Sequence, residues 1–532
     1  MTNAPHVAYF CMEYGLDESF PIYSGGLGVL AGDFIKSARD LRLPLVAVGL
    51  RWERGYCVQR IGPDGQPRDE FPAYPHDFLE DSGVRVRVRV RGTEVPCAVR
   101  ITERFGHVPL ILLEPIRAED RWITHRLYEA GTDVRIAQEM LLGIGGLRAL
   151  NWLGFTVSAY HFNEGHAVFA GVEMIAERME AGMSFPDAWA DTRRRILFTT
   201  HTPIRDGNEE HSLRDLRRMG ACLELSGTEM RALGGDPFNM TVAGLRLSRR
   251  ANGVSQLHGR TAGAMWSHVS DAAPIIAITN GVHAPTWQAE SVRAAGRDPI
   301  RLRMAHDRLK EELLAEIRAR TGCTLDPAAL LVGFARRAAS YKRSDLLLHD
   351  EARLARLLEA HPIHLLFSGK AHPDDVVGKS IVARLARAQK TFPGRVFFLE
   401  NYDMALARRL TRGCDVWLHN PVRPLEASGT SGMKAALNGA LNLGILDGWW
   451  SEGCEHGVNG WTIGGEEPAD DQRDLTALHR TLEEQVLPTW RDPARWLDMM
   501  QASIATAESR FTSDRMVREY FDRLYAERSS DS

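Results

Sequence analysis

Apolar and polar positions alternate along this chain in two ways, and each predicts a different kind of element. Residues 84–90 alternate valine with arginine, which predicts a half-buried β-strand. Residues 134–153 place apolar side chains at helical spacing, and so do residues 512–525 near the end of the chain. Both segments therefore predict amphipathic helices. A continuous apolar run over residues 195–200 predicts a buried strand that ends just before His201.

A regular alternation of apolar runs and amphipathic segments begins near residue 328. The runs predict strands over residues 330–334, 363–367, 395–399 and 415–418. The segments between them predict helices over residues 345–359, 377–389 and 404–412. Strands that alternate with helices form right-handed βαβ units and therefore a parallel, doubly wound sheet. Ligands of such sheets bind beyond the carboxyl ends of the strands, where His201, Arg337 and Tyr402 are expected.

Length and composition indicate an ordinary globular protein. A chain of 532 residues with 44% hydrophobic and 25% charged residues predicts two large domains. A formal charge of −4 argues against binding to nucleic acid or to a membrane surface. Neither a leader sequence nor an apolar run of membrane-spanning length is visible. The seven cysteines form no CxxC pairs, which favours reduced thiols and a cytoplasmic location.

Two short motifs suggest ligand sites that their spacing does not support. His161, Glu164 and His166 resemble a metal-binding motif, but their spacing does not place them on one helix face, so no metal is predicted. The glycines of residues 23–32 do not match the dinucleotide pattern GxGxxG. A glycine loop before an apolar helix still predicts an anion cradle at the helix start.

Residues 426–434, Glu-Ala-Ser-Gly-Thr-Ser-Gly-Met-Lys, carry the most specific chemistry. Small residues at a loop-to-helix junction leave backbone N–H groups open to an anion. Lys434 follows in apolar company, where burial would lower its pKa and favour reaction with a carbonyl group. A capped helix with one surface-reaching lysine would also explain the pattern. Arg336, Arg337, Lys342 and Arg343 form either a surface patch or a phosphate clamp.

These segments together resemble the α-glucan (glycogen, starch and maltodextrin) phosphorylases. The resemblance rests on residues 426–447, on Thr-Thr-His-Thr around His201, on Ala-Asn-Gly-Val around Asn252, and on Glu-Asn-Tyr ending at Tyr402. The Arg336–Lys342 run and the glycine loop complete it. In this family the lysine that matches Lys434 carries pyridoxal phosphate.

The resemblance assigns roles residue by residue. Catalytic roles fall on His201, Arg337, Lys342 and Lys434. Cofactor contacts fall on Lys434, Arg336, Tyr402, Thr430, Ser431 and Gly432. Substrate contacts fall on Gly25, Gly26, Leu27, Asn163, Glu164, His201, Asn252, Glu426, Ser428 and Gly429. Asp403 departs from the pattern, because animal and plant members have an arginine there. The chain also lacks a long insert that carries an aromatic cover for the cofactor between residues 14 and 24.

The implied fold is α/β of the GT-B type, with two Rossmann-like doubly wound domains and a cleft between them. We expect the domains to cover residues 1–284 and 285–505, with residues 506–532 packing back on the first. The implied reaction is phosphorolysis of an α-1,4-glucan or maltodextrin by inorganic phosphate, which gives glucose 1-phosphate. A homodimer is compatible with the resemblance. Two alternatives stay open: a sugar-nucleotide-dependent glucosyltransferase, and an inactive glucan-binding homologue.

Overall fold

The computed structural model describes residues 6–204 and 207–526. Its strands are β1 (Val7–Phe10), β2 (Leu45–Leu50), β3 (Val58–Ile61), β4 (Pro67–Glu70), β5 (Glu80–Val90), β6 (Thr93–Thr102), β7 (Leu110–Pro115), β8 (Ala159–Asn163), β9 (Ile196–Thr199), β10 (Glu210–His211), β11 (Phe238–Asn239), β12 (Arg250–Gly253), β13 (Ile275–Ala277), β14 (Leu330–Ala335), β15 (Ile363–Ser368), β16 (Val396–Leu399), β17 (Val416–His419), β18 (Leu441–Gly444) and β19 (Gly460–Thr462).

The α-helices are α1 (Gly26–Asp40), α2 (Thr132–Met140), α3 (Gly146–Trp152), α4 (Val168–Glu180), α5 (Phe185–Arg193), α6 (Leu213–Met219), α7 (Gly227–Gly234), α8 (Met240–Leu247), α9 (Gln256–Met265), α10 (Ala284–Trp287), α11 (Glu290–Ala295), α12 (Pro299–Thr321), α13 (Glu351–Ala360), α14 (Val376–Thr391), α15 (Met404–Gly413), α16 (Ser431–Ala436), α17 (Trp450–Gly453), α18 (Asp471–Thr481), α19 (Leu487–Trp490), α20 (Pro493–Arg510) and α21 (Ser513–Glu519). Within the described ranges, no helix is long and apolar enough to cross a membrane.

The described residues divide into two compact units. The first unit contains the residues up to Tyr56, then Phe71–Thr279 and the residues from Asp514 onward. The second unit contains Cys57–Glu70 and Asn280–Ser513. The domain boundaries expected from the sequence stay a prediction.

The first unit is built on a mixed sheet with the strand order β13-β12-β9-β8-β1-β2-β7-β6-β5. The strands from β13 to β7 run parallel, and β7, β6 and β5 pair antiparallel. The order of the parallel strands reverses between β1 and β8, which is where ligands bind in doubly wound sheets. In β5 the valines of residues 86–90 are buried and the arginines between them are exposed, which confirms the predicted half-buried strand.

The second unit is built on a parallel sheet with the order β16-β15-β14-β17-β18-β19. Numbered from β14, this is the order 3-2-1-4-5-6 of dinucleotide-binding folds, and it reverses between β14 and β17. The buried positions of all of these strands are mainly apolar, as expected for a sheet covered on both faces.

A hairpin of β3 and β4 belongs to the second unit although it comes early in the sequence. Gln59 exchanges hydrogen bonds with the backbone of Ala371 at 3.0 and 3.3 Å. Asp69 pairs with Lys379 at 2.5 Å. These contacts attach the hairpin to the loop after β15 and to α14.

The predicted elements agree with the structure in type and differ at some ends. The predicted helix over residues 134–153 contains a π-helical turn, Leu141–Gly145, between α2 and α3. In residues 345–359, a 3₁₀ turn, Leu346–Asp350, precedes α13. The helix near the end of the chain begins as α21 and finishes as a π-helical turn, Tyr520–Tyr525. Local periodicity does not specify such changes in hydrogen-bond pattern.

Candidate active site

In the second unit, the ends of β14 and β17 meet where the strand order reverses. Arg336 directly follows β14, and His419 is the last residue of β17. Nη1 of Arg336 lies 3.3 Å from Nδ1 of His419. Burial and the nearby charge of Arg336 lower the pKa of His419 to about 3, so its ring is neutral. These two side chains mark the switch point of the sheet as the candidate site of this unit.

Glu426 supplies the negative charge at this site. Its carboxylate accepts hydrogen bonds from Nζ of Lys342 at 2.6 and 2.7 Å and lies 2.8 Å from Nη2 of Arg336. All three side chains are buried. Burial raises the pKa of Glu426, but the charges of Arg336 and Lys342 outweigh it and lower the pKa to about 2. Glu426 is therefore ionised at neutral pH.

A second carboxyl group, that of Asp447, holds the loop that carries Glu426. The backbone N–H of Glu426 donates to Oδ2 of Asp447 at 2.9 Å, and that of Gly448 donates to Oδ1 at 2.8 Å. Burial, together with the charge of Glu426, raises the pKa of Asp447 to about 7. The loop is thus fixed at its backbone while the Glu426 side chain faces the two cations.

Lys434 is buried in α16, and its Nζ lies 3.7 Å from the centroid of the Trp287 ring. An ammonium group at this distance from an indole face makes a favourable cation–π contact. The apolar surroundings predicted for Lys434 are therefore confirmed. The helix itself spans six residues, and no side chain caps its start. It is too short for the helix-dipole anion site that the sequence suggested, because that effect needs several aligned turns.

Some polar atoms in and around the loop before α16 are buried without a hydrogen-bond partner in the described part of the chain. Oγ of Ser428 and Nε of Arg336 are buried without a hydrogen-bond partner among the described residues. Gly429 has a φ of +79°, and a Cβ there would lie 3.1 Å from Cε1 of His419 and 3.3 Å from Nη2 of Arg336. Buried polar atoms are nearly always paired in proteins. These atoms therefore provide donors for a polar ligand.

The other predicted cofactor residues around α16 have partners within the protein. Oγ of Ser431 accepts a hydrogen bond from Nε1 of Trp417 at 3.2 Å. A Cβ on Gly432 would lie 2.5 Å from Oδ1 of Asn442, so glycine is required there by packing. Thr430 immediately precedes the helix. Cofactor contacts for these residues stay predictions.

The two adjacent arginines lie in different environments. Arg336 is buried, whereas Arg337 is exposed. Burial raises the pKa of Tyr402, and the charge of Arg336 only partly offsets this effect. Asp403, which stands where an arginine was expected, caps α15 by accepting the N–H of Leu406 at 2.8 Å. Asp403 therefore has a local structural role as a helix cap.

In the first unit, the ends of β1, β8 and β9 bring Asn163, Glu164 and His201 together. Nε2 of His201 donates to Oδ1 of Asn163 at 2.6 Å, and the N–H of His201 donates to Oε1 of Glu164 at 2.5 Å. Nδ2 of Asn163 lies 3.3 Å from Sγ of Cys11, which follows β1. Burial lowers the pKa of His201 to about 3, so this histidine is neutral and held at both its backbone and its ring.

Glu164 has a strained backbone. Its φ of 74° and ψ of 176° fall in a region that residues with a side chain rarely adopt. Its carboxyl group also accepts a hydrogen bond from Oγ1 of Thr202 at 3.2 Å. Burial raises the pKa of Glu164 to about 7, although the N–H of His201 opposes this shift. Strain of this kind persists only where the surroundings enforce it, and here it aims the carboxyl group at the loop after β9.

Asn252 lies in a closed polar network with the end of the chain. Its Oδ1 accepts from Oγ1 of Thr199 at 2.6 Å, and its Nδ2 donates to the hydroxyl of Tyr520 at 2.9 Å. Thr199 accepts from Nε2 of His161 at 2.7 Å, and the Tyr525 hydroxyl lies 2.7 Å from Nδ1 of His161. Asn252 is fully buried. Its predicted contact with a sugar stays a prediction.

The glycine loop of the first unit lies on a buried carboxylate. Oε2 of Glu13 accepts the N–H groups of Ser24 at 2.5 Å and Gly25 at 3.3 Å. Gly26 and Leu27, the other predicted substrate contacts, form the first turn of α1, and Gly26 is exposed.

A further cluster in the first unit has the residue types of a metal site. Ligand atoms of Glu139, Glu209 and His211 lie within 4.8 Å of one another. Nε of Arg135 donates to both carboxylate oxygens of Glu209 at 2.7 and 2.8 Å, and Nε2 of His211 lies 2.8 Å from Glu139. A guanidinium group already neutralises the carboxylate that a cation would need, so this cluster is an internal ion-pair network.

Sequence reasoning did not assign roles to Glu13, His419 or Asp447, and it did not place Trp287 beside Lys434. His419 directly follows the predicted strand over residues 415–418, so the strand-end rule could have found it. The other contacts form between separate loops and elements, and periodicity contains no signal for them.

The two strand-order reversals, with charged groups beside them, are typical of α/β enzymes that bind ligands at strand carboxyl ends. Residues 298–456 match the family described as carbohydrate phosphorylase. The chain belongs to the carbohydrate phosphorylase family.

Three relatives are similar over nearly the whole chain. Maltodextrin phosphorylase of Thermococcus litoralis is 40% identical, covering 99% of this chain and 71% of the relative. Glycogen phosphorylase of Aquifex aeolicus is 34% identical, covering 98% and 86%. An uncharacterized protein of Methanocaldococcus jannaschii is 35% identical, covering 97% and 99%. The match to the last relative covers nearly all of both chains.

Proposed function

We propose that this protein is an α-1,4-glucan phosphorylase, which transfers a terminal glucosyl unit to inorganic phosphate and releases glucose 1-phosphate. The observation that carries this proposal is the pairing of Glu426 with Lys342 and Arg336, in the segment that leads to the buried Lys434. A carboxylate suits sugar hydroxyls, and the cations suit phosphate. The names of the Thermococcus and Aquifex relatives support the same reaction.

The proposed cofactor is pyridoxal phosphate, bound at Lys434. The site fits it because Lys434 offers a buried amine, while Arg336 Nε is a buried donor without a partner in the described chain. Guanidinium groups bind phosphate well. The remaining proposed contacts are Tyr402, Thr430, Ser431 and Gly432. When bound, the cofactor would supply a phosphate group able to donate and accept a proton.

The protein's own residues bind and orient the two substrates in this scheme. Lys342 and the exposed Arg337 hold the substrate phosphate, with the first turn of α1 as a further donor group. Glu426 binds sugar hydroxyls by charge-assisted hydrogen bonds. His201, neutral and fixed by Asn163, holds the glucosyl unit. Preorganised charges of this kind supply much of the rate in reactions where charge develops in the transition state, as it does in glucosyl transfer.

The GT-B class, with its cleft, is part of the proposal. The strand order of each unit taken separately supports it. A cytoplasmic location is proposed because the seven cysteines are free. A homodimer stays a prediction.

The decisive experiment incubates the purified protein with pyridoxal phosphate, maltodextrin and inorganic phosphate, and measures glucose 1-phosphate. Borohydride reduction followed by mass spectrometry should place a pyridoxyl group on Lys434. Glucosyl transfer that needs a sugar nucleotide and leaves Lys434 unmodified would establish the synthase alternative. A protein that binds maltodextrin but transfers nothing would be an inactive homologue.

A further inference from the structure

The carboxyl group of Glu13 is buried beneath the glycine loop and accepts an unusual number of hydrogen bonds. Its donors are the N–H and Oγ of Ser24, the N–H of Gly25 and the hydroxyl of Tyr128, the last at 2.8 Å. Glu13 is 2% exposed. Burial raises its pKa, and these donors oppose the shift. A group of this kind is retained at a cost in desolvation, so it needs a structural or functional reason.

The packing around Glu13 fixes the loop against the segment that follows β1. A Cβ on Gly28 would lie 2.6 Å from Oε2 of Glu13, and a Cβ on Gly32 would lie 2.0 Å from the carbonyl oxygen of Gly15. The N–H of Gly15 donates to the carbonyl of Gly28 at 2.7 Å. Two glycines one helical turn apart therefore let α1 approach the backbone of this segment closely, and larger residues would separate them.

The first two glycines of the loop are explained differently. A Cβ on Gly25 or Gly26 would meet no atom within 4 Å, and neither residue has a positive φ. Neither packing nor backbone conformation therefore requires glycine at these positions. The first N–H groups of a helix have no intrahelical partner, and no side chain caps the start of α1. Glycine here leaves these N–H groups open to close approach by an anion.

We propose that Glu13 is a positioning residue for the substrate phosphate: it holds the N–H groups of Ser24 and Gly25, so that those of Gly26 and Leu27 are presented to the phosphate. This inference rests on the proposed function. A loop with two adjacent glycines has high conformational entropy when it is free. The hydrogen bonds to Glu13 order the loop before the substrate binds. Less conformational entropy is then lost on binding of phosphate.

The charge of Glu13 opposes this effect, which makes the proposal testable. A negative charge close to a phosphate dianion weakens its binding, whereas the fixed loop geometry strengthens it. Glu13→Gln keeps an acceptor for the N–H groups and removes the charge. Glu13→Ala removes both the acceptor and the charge. If Glu13 acts by fixing the geometry of the loop, Glu13→Gln should keep phosphate binding close to that of the wild type, and Glu13→Ala should not.

The test measures steady-state kinetics of maltodextrin phosphorolysis with phosphate and maltodextrin varied in turn. Glu13→Ala should raise the KM for phosphate about ten-fold, the effect of losing roughly one charge-assisted hydrogen bond, and should change the KM for maltodextrin less than about two-fold. Glu13→Gln should return the KM for phosphate to within about three-fold of the wild type. An equal rise of both KM values in Glu13→Ala, or no rise, would overturn the proposal.

The matched control is Glu173→Ala. Glu173 is also a buried glutamate of the first unit, and it pairs with Nε of Arg148 at 2.5 Å. This variant should lose thermal stability without any change in the KM for phosphate. A rise in that KM here would show that any buried carboxylate in the unit has the same effect.

Hydrogen exchange separates this proposal from the proposed function. In the intact protein, peptides that cover residues 22–28 should lose protection about ten-fold in Glu13→Ala and keep it in Glu173→Ala. A wild type that releases no glucose 1-phosphate would defeat the proposed function alone. Unchanged protection of this loop in Glu13→Ala would defeat the positioning role, whatever the activity.

Discussion

Nζ of Lys342 donates to both carboxylate oxygens of Glu426, at 2.6 and 2.7 Å. Lys342 is the residue proposed to hold phosphate, and Glu426 is the residue proposed to hold the sugar. One buried ion pair therefore joins the contacts for the two substrates. A phosphate that binds to Lys342 must share the positive charge of this lysine with the carboxylate of Glu426. A change in either residue should therefore alter the use of both substrates.

Glu426→Gln should separate the effect of Glu426 on sugar binding from its effect on phosphate binding. Loss of the carboxylate removes strong hydrogen bonds to the sugar, and kcat should fall about a hundred-fold or more. Arg336 and Lys342 then lack their counter-charge, so the KM for phosphate should fall. Initial rates at varied phosphate provide the measurement. Glu359→Gln, at an exposed position of the same unit, is the control and should change neither value. An unchanged or higher KM for phosphate in Glu426→Gln would contradict the shared-charge interpretation.

The adjacent arginines should respond differently to alanine substitution. Arg336→Ala removes a buried partner of Glu426, so it should lower the free energy of unfolding by about 3 kcal/mol and abolish most activity. Arg337→Ala removes an exposed side chain, so its effect on stability should stay below about 0.5 kcal/mol. It should still raise the KM for phosphate. Urea denaturation together with phosphate titration tests both variants. An Arg337→Ala enzyme with an unchanged KM for phosphate would remove Arg337 from the proposed phosphate site.

Glu164 should make the stability of the protein depend on pH. Burial raises its pKa from an ordinary 4.5 to about 7. A folded-state pKa above the unfolded value gives a stabilising contribution that is complete below the unfolded pKa and is lost as the pH rises through the folded pKa. The free energy of unfolding should therefore fall more steeply from about pH 5 to 7 in the wild type than in Glu164→Gln. Urea denaturation at several pH values tests this, and parallel slopes would show that Glu164 does not titrate in this range.

Tyr525→Phe should weaken the first unit through its effect on His161. The hydroxyl of Tyr525 lies 2.7 Å from Nδ1 of His161, and its removal leaves that buried nitrogen without a donor. The free energy of unfolding should fall by about 1–3 kcal/mol. Tyr160→Phe is a control at another buried tyrosine, with an expected loss below about 0.5 kcal/mol. Equal losses in the two variants would show that the hydrogen bond to His161 does not add to the free energy of unfolding.

Much of the fold and part of the candidate site followed from local patterns. The alternation over residues 330–418 predicted a parallel sheet because βαβ units allow few other arrangements, and the structure has that sheet. The apolar residues around Lys434 left both a buried and a surface-reaching amine open, and in the structure Lys434 is buried. The hairpin of β3 and β4 was not predicted, because its place in the second unit depends on contacts of Gln59 and Asp69 with residues far along the chain.

The sequence by itself determined the element types, the parallel sheet of the second unit, the family and the buried surroundings of Lys434, since periodicity and motif order are properties of contiguous residues. Only the tertiary structure decided how Arg336 and Lys342 share Glu426, how Asn163 and Glu164 fix His201, and how Glu13 holds the glycine loop. Except for the contacts of Glu13, which lies 11 to 12 residues before the loop, these contacts join segments that are distant in the sequence. Their distances and the resulting pKa values depend on burial and on the relative placement of strand ends, which local patterns do not encode.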